Sequence, residues 1–412
     1  LACERRDAIV HHRDDTLNAE ALQHSGAVLV RGHGQLAGPG VLDVEGRSLR
    51  YQELVINTGS TPRRPDIPGL ESVPVWTSDD ALSTTDLPSS MLVLGGGAVG
   101  CELGFLFATF GTAVTLIQRG PRLLPTEEPR ASATVEQALT ELGVAVQTGA
   151  TVTAVAKRSD GAEAQLSSGQ SVFVEQIVLA TGRSPQVTGL GLSNVGLTLD
   201  AGAAIPIDER CRVAGAEHLW AIGDVTGKSA FTHTSHYQGR VVAANLRGHC
   251  VRADYAAIPR AVYVEPTLAS VGHTVASARR AGIEPIAASS EMRTAAVRSS
   301  TDGQAAGWIT VLADPATECV IGATGMGQNA EEWIALLSQA IRAATPVALL
   351  ADVVHPFPSF GELLENPLWE LREALHARPA TPTSAAQRPG SFRPNPSRSR
   401  EKRHEATGRR HQ

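Results

Sequence analysis

Apolar residues along the chain fall into short runs broken by Gly and Pro, the pattern of strands alternating with helices. The opening stretch LACERRDAIVHHRDDTLNAEALQHSG has polar periodicity and a Gly stop, which predicts helix over most of residues 1–26. AVLVRGHGQLAG, GVLDVEG and YQELVINTGS predict short strands, and TPRRPDIPGL reads as a proline-rich connector. Residues 88–118 predict a strand, a turn, a helix and a second strand, and ASATVEQALTELG predicts a helix over 131–143. VAVQTG, TVTAVAKR, AEAQLSS and QIVLATGRSP then predict strands, as does a strand-rich segment over 190–226. The helix HTSHYQGRVVAANLRG follows. From about residue 255, strands mix with two amphipathic helices near 274–282 and 328–343. Alternation of strand and helix through the first two thirds predicts an α/β protein with parallel sheets.

Composition narrows the class without naming a function. A chain of 412 residues is long enough for two or three domains with their own cores. No apolar run approaches the ~20 residues that cross a bilayer, so no membrane span is expected. The formal net charge is −6, and no nucleic-acid partner is expected from it. Cys3, Cys101, Cys211, Cys250 and Cys319 are far apart and form no CxxC pair. That spacing implies neither a disulfide framework nor a metal site, and fits a reducing cytoplasm. ARPATPTSAAQRPGSFRPNPSRSREKRHEATGRRHQ, residues 377–412, has no apolar periodicity and reads as a disordered basic tail, either an arm for nucleic acid or an anionic partner or, the favoured reading, an incidental extension.

The chemistry begins in MLVLGGGAVGCELGFLFATFGTAVTLIQRGPRLLP. Gly95, Gly97 and Gly100 satisfy G-x-G-x-x-G between an apolar strand and a helix. The first glycine makes the turn, the second admits a pyrophosphate, and the third lets helix and strand close together. The stretch Gly95, Gly96, Gly97, Ala98, Val99 and Gly100 is therefore the expected dinucleotide cradle, its phosphates held by the helix N-terminus. The second strand of such a unit ends in the residue that reads the ribose. Gln118 stands there, followed by Arg119 and Arg122. Arginines favour the 2′-phosphate of NADP over NAD; otherwise both are solvated surface residues.

LVINTGS and IVLATGRSP are both strands ending in Thr-Gly. Each is a candidate crossing between nucleotide domains, with Thr58, Gly59 and Ser60 on one and Gly182 on the other. HLWAIGDVTG ends its strand at Gly223-Asp224. Asp224 either accepts from the ribityl hydroxyls of a flavin nucleotide or caps the helix that follows.

Taken together, these residues resemble the FAD-dependent pyridine nucleotide-disulfide oxidoreductases, over about residues 1–376. The resemblance implies two Rossmann-like FAD- and NAD(P)-binding domains and an α+β dimerisation domain. Their expected limits are 1–87 and 189–253 for the FAD domain, 88–188 for the NAD(P)H domain and 254–376 for dimerisation. It implies FAD and NADP or NAD as cofactors, a homodimer, and a small-molecule electron acceptor. The family's N-terminal GxGxxG strand, CxxxxC segment and flavin-side lysine have no counterpart in these residues. The resemblance therefore implies that the first FAD-binding part is N-terminally truncated, with Leu1 entering the pattern after all three. Glu102 matches the Glu that lies near the nicotinamide in the family; alternatively it is a helix residue favoured near the positive helix end. In VVHPFPSFGELLENP the family has His-Pro-Thr-x-x-Glu. Keeping the Pro-to-Glu spacing aligns Glu362 and puts Phe357 at the catalytic His; aligning His355-Pro356 leaves Glu362 two residues late. His355 is otherwise a structural histidine and Glu362 a local cap. Thiol chemistry needs a base, which phenylalanine cannot be. The expected activity is thus hydride transfer from NAD(P)H to flavin and then to a quinone-like or other non-thiol acceptor. The alternatives are disulfide reduction and a non-catalytic nucleotide-binding remnant.

Overall fold

The fingerprint strand is apolar on both faces: Met91, Leu92 and Val93 are fully buried. Such a strand needs cover on both sides, as parallel sheets have. The computed structural model describes residues 2–200, 202–301 and 306–377. Apart from its first residue, the tail expected over 377–412 lies outside them.

Ser90–Leu94 is the middle strand of a five-stranded parallel sheet ordered Val75–Trp76, Gln176–Leu179, Ser90–Leu94, Ala113–Gln118, Ala145–Thr148. Met91 and Val93 face the helices Ala98–Thr109 and Pro129–Glu141, packing with Cys101, Phe107, Val135 and Leu139. Leu92, Leu94 and Ile177 face the other way. They pack on Val155, Ala164 and Leu166 of a three-stranded antiparallel sheet formed by Val152–Arg158, Gly161–Leu166 and Ser171–Val174.

A second region is built from both sides of this one in sequence. Leu54–Ile56 pairs in parallel with Leu219–Ala221, 165 residues apart at every register pair. Ile56, Leu192, Ile205, Val213 and Leu219 close its core. The helix Thr232–Leu246 packs Val241 and Val242 on Trp220. Helices Ala2–Ile9 and Thr16–His24 open the chain, as the polar periodicity predicts. The third region is a five-stranded antiparallel sheet ordered Arg260–Val262, Leu268–Gly272, Cys319–Met326, Trp308–Asp314, Ile286–Glu291. Ala330–Arg342 lies against it through Trp333, Ile334 and Leu337, the i, i+1, i+4 stripe of an amphipathic helix.

Two strand expectations fail. In AVLVRGHGQLAG only Gly34–Gly38 is a strand, and Val28 is 83% exposed. An apolar run acquires a ladder only where a neighbour offers one, and none among the described residues pairs with residues 27–30. In 190–226 the only strand among the described residues is Leu219–Ala221; Leu192, Leu197 and Ile205 are buried from irregular or 3-10 segments.

Candidate functional site

The glycines of the fingerprint are held by sterics. Gly95 has φ +112, and a Cβ on it would lie 2.3 Å from the Ala180 carbonyl oxygen. A Cβ on Gly100 would lie 1.8 Å from the Gly95 carbonyl oxygen, so helix and turn touch there. Gly97 differs: nothing lies within 4 Å of where its Cβ would be. It is the N-cap of the helix Ala98–Thr109 and makes no side-chain cap. First-turn amides such as those of Ala98 and Val99 have no acceptor inside their helix. A cradle open at Gly97, ringed by amides at a positive helix end, fits a pyrophosphate.

This cradle opens into a cleft of about 530 Å³, lined by Gly95–Gly97, Gln118, Arg119, Pro125, Thr181 and Gly182. Such a volume suits an organic ligand. Gln118 is turned inward: its Oε1 accepts from the Gly96 amide at 3.1 Å and its Nε2 donates to the Arg122 carbonyl at 3.3 Å. It shapes the cradle and borders the cleft. Arg119 is exposed at the rim. Arg122 is drawn away from the cleft, its guanidinium bonded to the Leu124 and Pro125 carbonyls and to Ser132 Oγ. Of the two arginines, Arg119 borders the cleft and Arg122 does not.

The two Thr-Gly crossings meet each other. Ser60–Pro62 pairs antiparallel with Arg183–Pro185. Thr58 Oγ1 donates to the Gln186 carbonyl at 2.7 Å, and Thr181 Oγ1 to the Arg63 carbonyl at 2.6 Å, so the ribbon is stitched at both ends. Gly59 and Gly182 have φ +74 and +97 with open space beside both. Ser60 Oγ donates to Asp224 Oδ2 at 2.6 Å and accepts from Arg183 Nε at 2.7 Å. Asp224 therefore faces the first crossing, from the turn Gly223–Thr226. The turn does not run into Thr232–Leu246, whose N-cap is Phe231, so the capping alternative for Asp224 falls. A half-buried carboxylate beside an open glycine fits ribityl hydroxyls, which are donors.

Sequence reasoning missed the residues behind this turn. Gln238 is fully buried, accepts from the Gly223 amide at 2.6 Å and donates to Tyr255 Oη at 3.0 Å. A Cβ on Gly223 would meet Asn57 Oδ1 at 2.5 Å. Gln238 sits in a polar helical stretch, where nothing marks one glutamine as internal.

Glu102 does not line the dinucleotide cleft. Its Oε1 accepts from the Tyr263 amide at 2.9 Å. Burial pushes its pKa up, opposed by that hydrogen bond. His355 is half-buried, and Phe357 is 72% exposed. Glu362 is buried and turned back on its own segment, accepting from the Ser359 amide at 2.9 Å. No hydrogen bond joins His355 to Glu362 among the described residues. Glu362 and Ser359 form a capping box at the turn Phe360–Leu364.

Residues 11–239 match the family model of the pyridine nucleotide-disulphide oxidoreductases, and residues 258–367 match the dimerisation domain of the same group. The chain belongs to this family. It is an FAD-dependent pyridine nucleotide oxidoreductase, with FAD and NAD(P) as cofactors. It is similar to a dihydrolipoyl dehydrogenase of Thermus scotoductus, at 34% identity over 84% of this chain and 75% of that protein. Dihydrolipoyl dehydrogenase 2 of Haloarcula marismortui is 31% identical over 88% of this chain and 79% of its own length. Among solved structures, the Cu(II) complex of the HOCl-induced flavoprotein disulfide reductase RclA from Escherichia coli superposes with a TM-score of 0.82. The identity there is 25%, over 89% of this chain and 85% of that one. No helix among the described residues is long and apolar enough to cross a membrane.

Proposed function

We propose that this oxidoreductase exchanges electrons between NAD(P)H and a dithiol–disulfide couple of the dihydrolipoamide type. The observation that carries the two-nucleotide reading is the ribbon of Ser60–Pro62 with Arg183–Pro185. It sets Gly182, on the rim of the fingerprint cleft, beside the Gly59–Ser60–Asp224 corner. Gly95–Gly100 would hold the pyrophosphate of the dinucleotide, and Arg119 its 2′-phosphate, which favours NADP. Thr58, Gly59, Ser60, Gly223 and Asp224 would hold the flavin nucleotide. FAD supplies the redox centre that takes hydride from the nicotinamide; these residues bind and orient. The domain limits proposed are 1–87 with 189–253, 88–188 and 254–376, in a cytoplasmic homodimer.

The disulfide preference comes from the relatives, which carry the dihydrolipoyl dehydrogenase and disulfide reductase names. It displaces the non-thiol acceptor that the Phe357 register favours. In this reading the dithiol would pass its two electrons to the flavin directly, because the described cysteines are all free and none forms a relay pair; His355 exchanges the thiol proton, Glu362 holds the Ser359–Glu362 turn and Glu102 holds the Tyr263 amide. One observation keeps a second reading in play: Phe357 is 72% exposed and would stack on an aromatic acceptor such as a quinone.

The flavin-loaded protein should be assayed with dihydrolipoamide and NAD(P)+ and, separately, with NAD(P)H and a benzoquinone. The expected outcome is that dihydrolipoamide turnover prevails and that His355→Ala lowers it by about 10²-fold, leaving quinone reduction unchanged. Quinone turnover with the larger kcat/KM, insensitive to His355, would give the assignment to the second reading.

A further inference from the structure

The segment that leaves the fingerprint sheet is bonded at both ends. At the front, the Leu124 amide donates to the Gly96 carbonyl at 2.8 Å. Leu123 packs so closely that a Cβ on Gly96 would lie 2.5 Å from it. At the back, Glu127 is 7% exposed and its carboxylate accepts three hydrogen bonds from the region matched as the dimerisation domain. Arg260 Nε reaches Oε1 at 2.8 Å, Arg260 Nη2 reaches Oε2 at 3.2 Å, and the buried Ser270 Oγ reaches Oε2 at 2.7 Å. The Glu127 amide donates to the Leu124 carbonyl at 3.0 Å, so one turn of chain links this carboxylate to the residue bonded to Gly96. Neighbours repeat the direction: Glu128 accepts from the Val275 amide, and Arg130 reaches Glu291 while lying over the Trp308 ring.

A buried ion pair is a poor way to gain stability, because well-packed apolar residues would serve as well or better. What a bidentate guanidinium and a third donor supply is a fixed carboxylate position. The position fixed here is the far end of the 118–127 segment, of which Gln118, Arg119 and Pro125 line the cleft.

We propose that Glu127 is a positioning residue for the dinucleotide. With Arg260 and Ser270 it clamps the 118–125 rim, and through Leu124 the Gly96 peptide, in the place that receives the pyrophosphate. It touches no cofactor itself. The inference rests on the reading of the Gly95–Gly100 cleft as the NAD(P)H site, and it makes Arg260 and Ser270, outside the nucleotide domain, supports of that site.

The test is calorimetric titration of the purified, flavin-loaded protein with NADPH and with NADH. Glu127→Gln, which keeps the shape and removes the charge, should weaken both dinucleotides equally, by about tenfold. Arg119→Ala should weaken NADPH alone. Leu337→Ala, in the buried face of helix Ala330–Arg342, is the control for lost stability. It should lower the melting temperature and leave both affinities unchanged. Should Glu127→Gln fail to fold, Ser270→Ala, which retains the ion pair, decides instead, with a loss of about threefold in both affinities. A folded variant that binds within twofold of the parent overturns the clamp and leaves the cleft assignment standing. A parent protein that binds neither dinucleotide overturns both, and the two failures are thereby told apart.

Discussion

Arg119 and Arg122 are three residues apart, yet only one is free to meet a ligand. The Arg122 guanidinium is consumed by the carbonyls of its own loop and by Ser132, whereas Arg119 is exposed on the cleft rim. Arg119→Ala should therefore raise the Kd of NADPH by tenfold or more, roughly the loss of one charge-assisted contact, with NADH unaffected. Arg122→Ala should lower the melting temperature instead. Glu102 makes a different prediction. Burial raises its pKa in the folded protein, so protonation favours folding. The stability that Glu102 contributes is present below the ordinary glutamate range and is lost as pH rises through its lifted value. Glu102→Gln, which still offers an acceptor to the Tyr263 amide, should remove that slope. Melting temperatures measured across pH 4 to 8, an interval spanning roughly the carboxylate titration, should fall for the parent relative to the variant.

At the scale of the strand–turn–helix element, two glycines three apart have opposite duties. Gly100 is a packing glycine: a methyl there meets the Gly95 carbonyl at 1.8 Å. Gly100→Ala should cost about 3 kcal/mol and disturb the whole nucleotide domain, visible in denaturant unfolding. Gly97 is a ligand glycine, with open space on its side-chain face. Gly97→Ala should leave the unfolding midpoint where it is and abolish dinucleotide binding in the same titration. Equal behaviour of the two variants would show that the cradle is ordinary loop.

Across the whole molecule, the strands that cross between regions and the segment that enters the dimerisation domain carry the organisation. The ribbon Ser60–Pro62 with Arg183–Pro185 joins residues 121 to 125 apart in sequence, so the two nucleotide corners are set by one short pairing. At the other end of the chain, Val354 and Phe357 are 92% and 72% exposed. Covering apolar side chains so exposed on a dimerisation domain would favour a second copy seated on this face. Val354→Asp should shift the protein from dimer to monomer in analytical ultracentrifugation, with dinucleotide binding retained in the monomer.

The periodicities and the glycine spacing decided by themselves that residues 88–118 are strand, turn and helix. A fully apolar strand admits only a central place, and the tight turn after it accepts nothing larger than glycine at the first and third positions of G-x-G-x-x-G. The family was legible for the same reason: ordered short motifs each encode a local backbone requirement. The long-range pairings were not. That Asp224 bonds Ser60, that Gln238 braces Gly223, and that Glu127 is buried on Arg260 all depend on segments brought together by folding. A polar side chain on an exposed helix and one sealed in a seam look alike in a sequence, because the desolvation that separates them is created only by the partner that covers it.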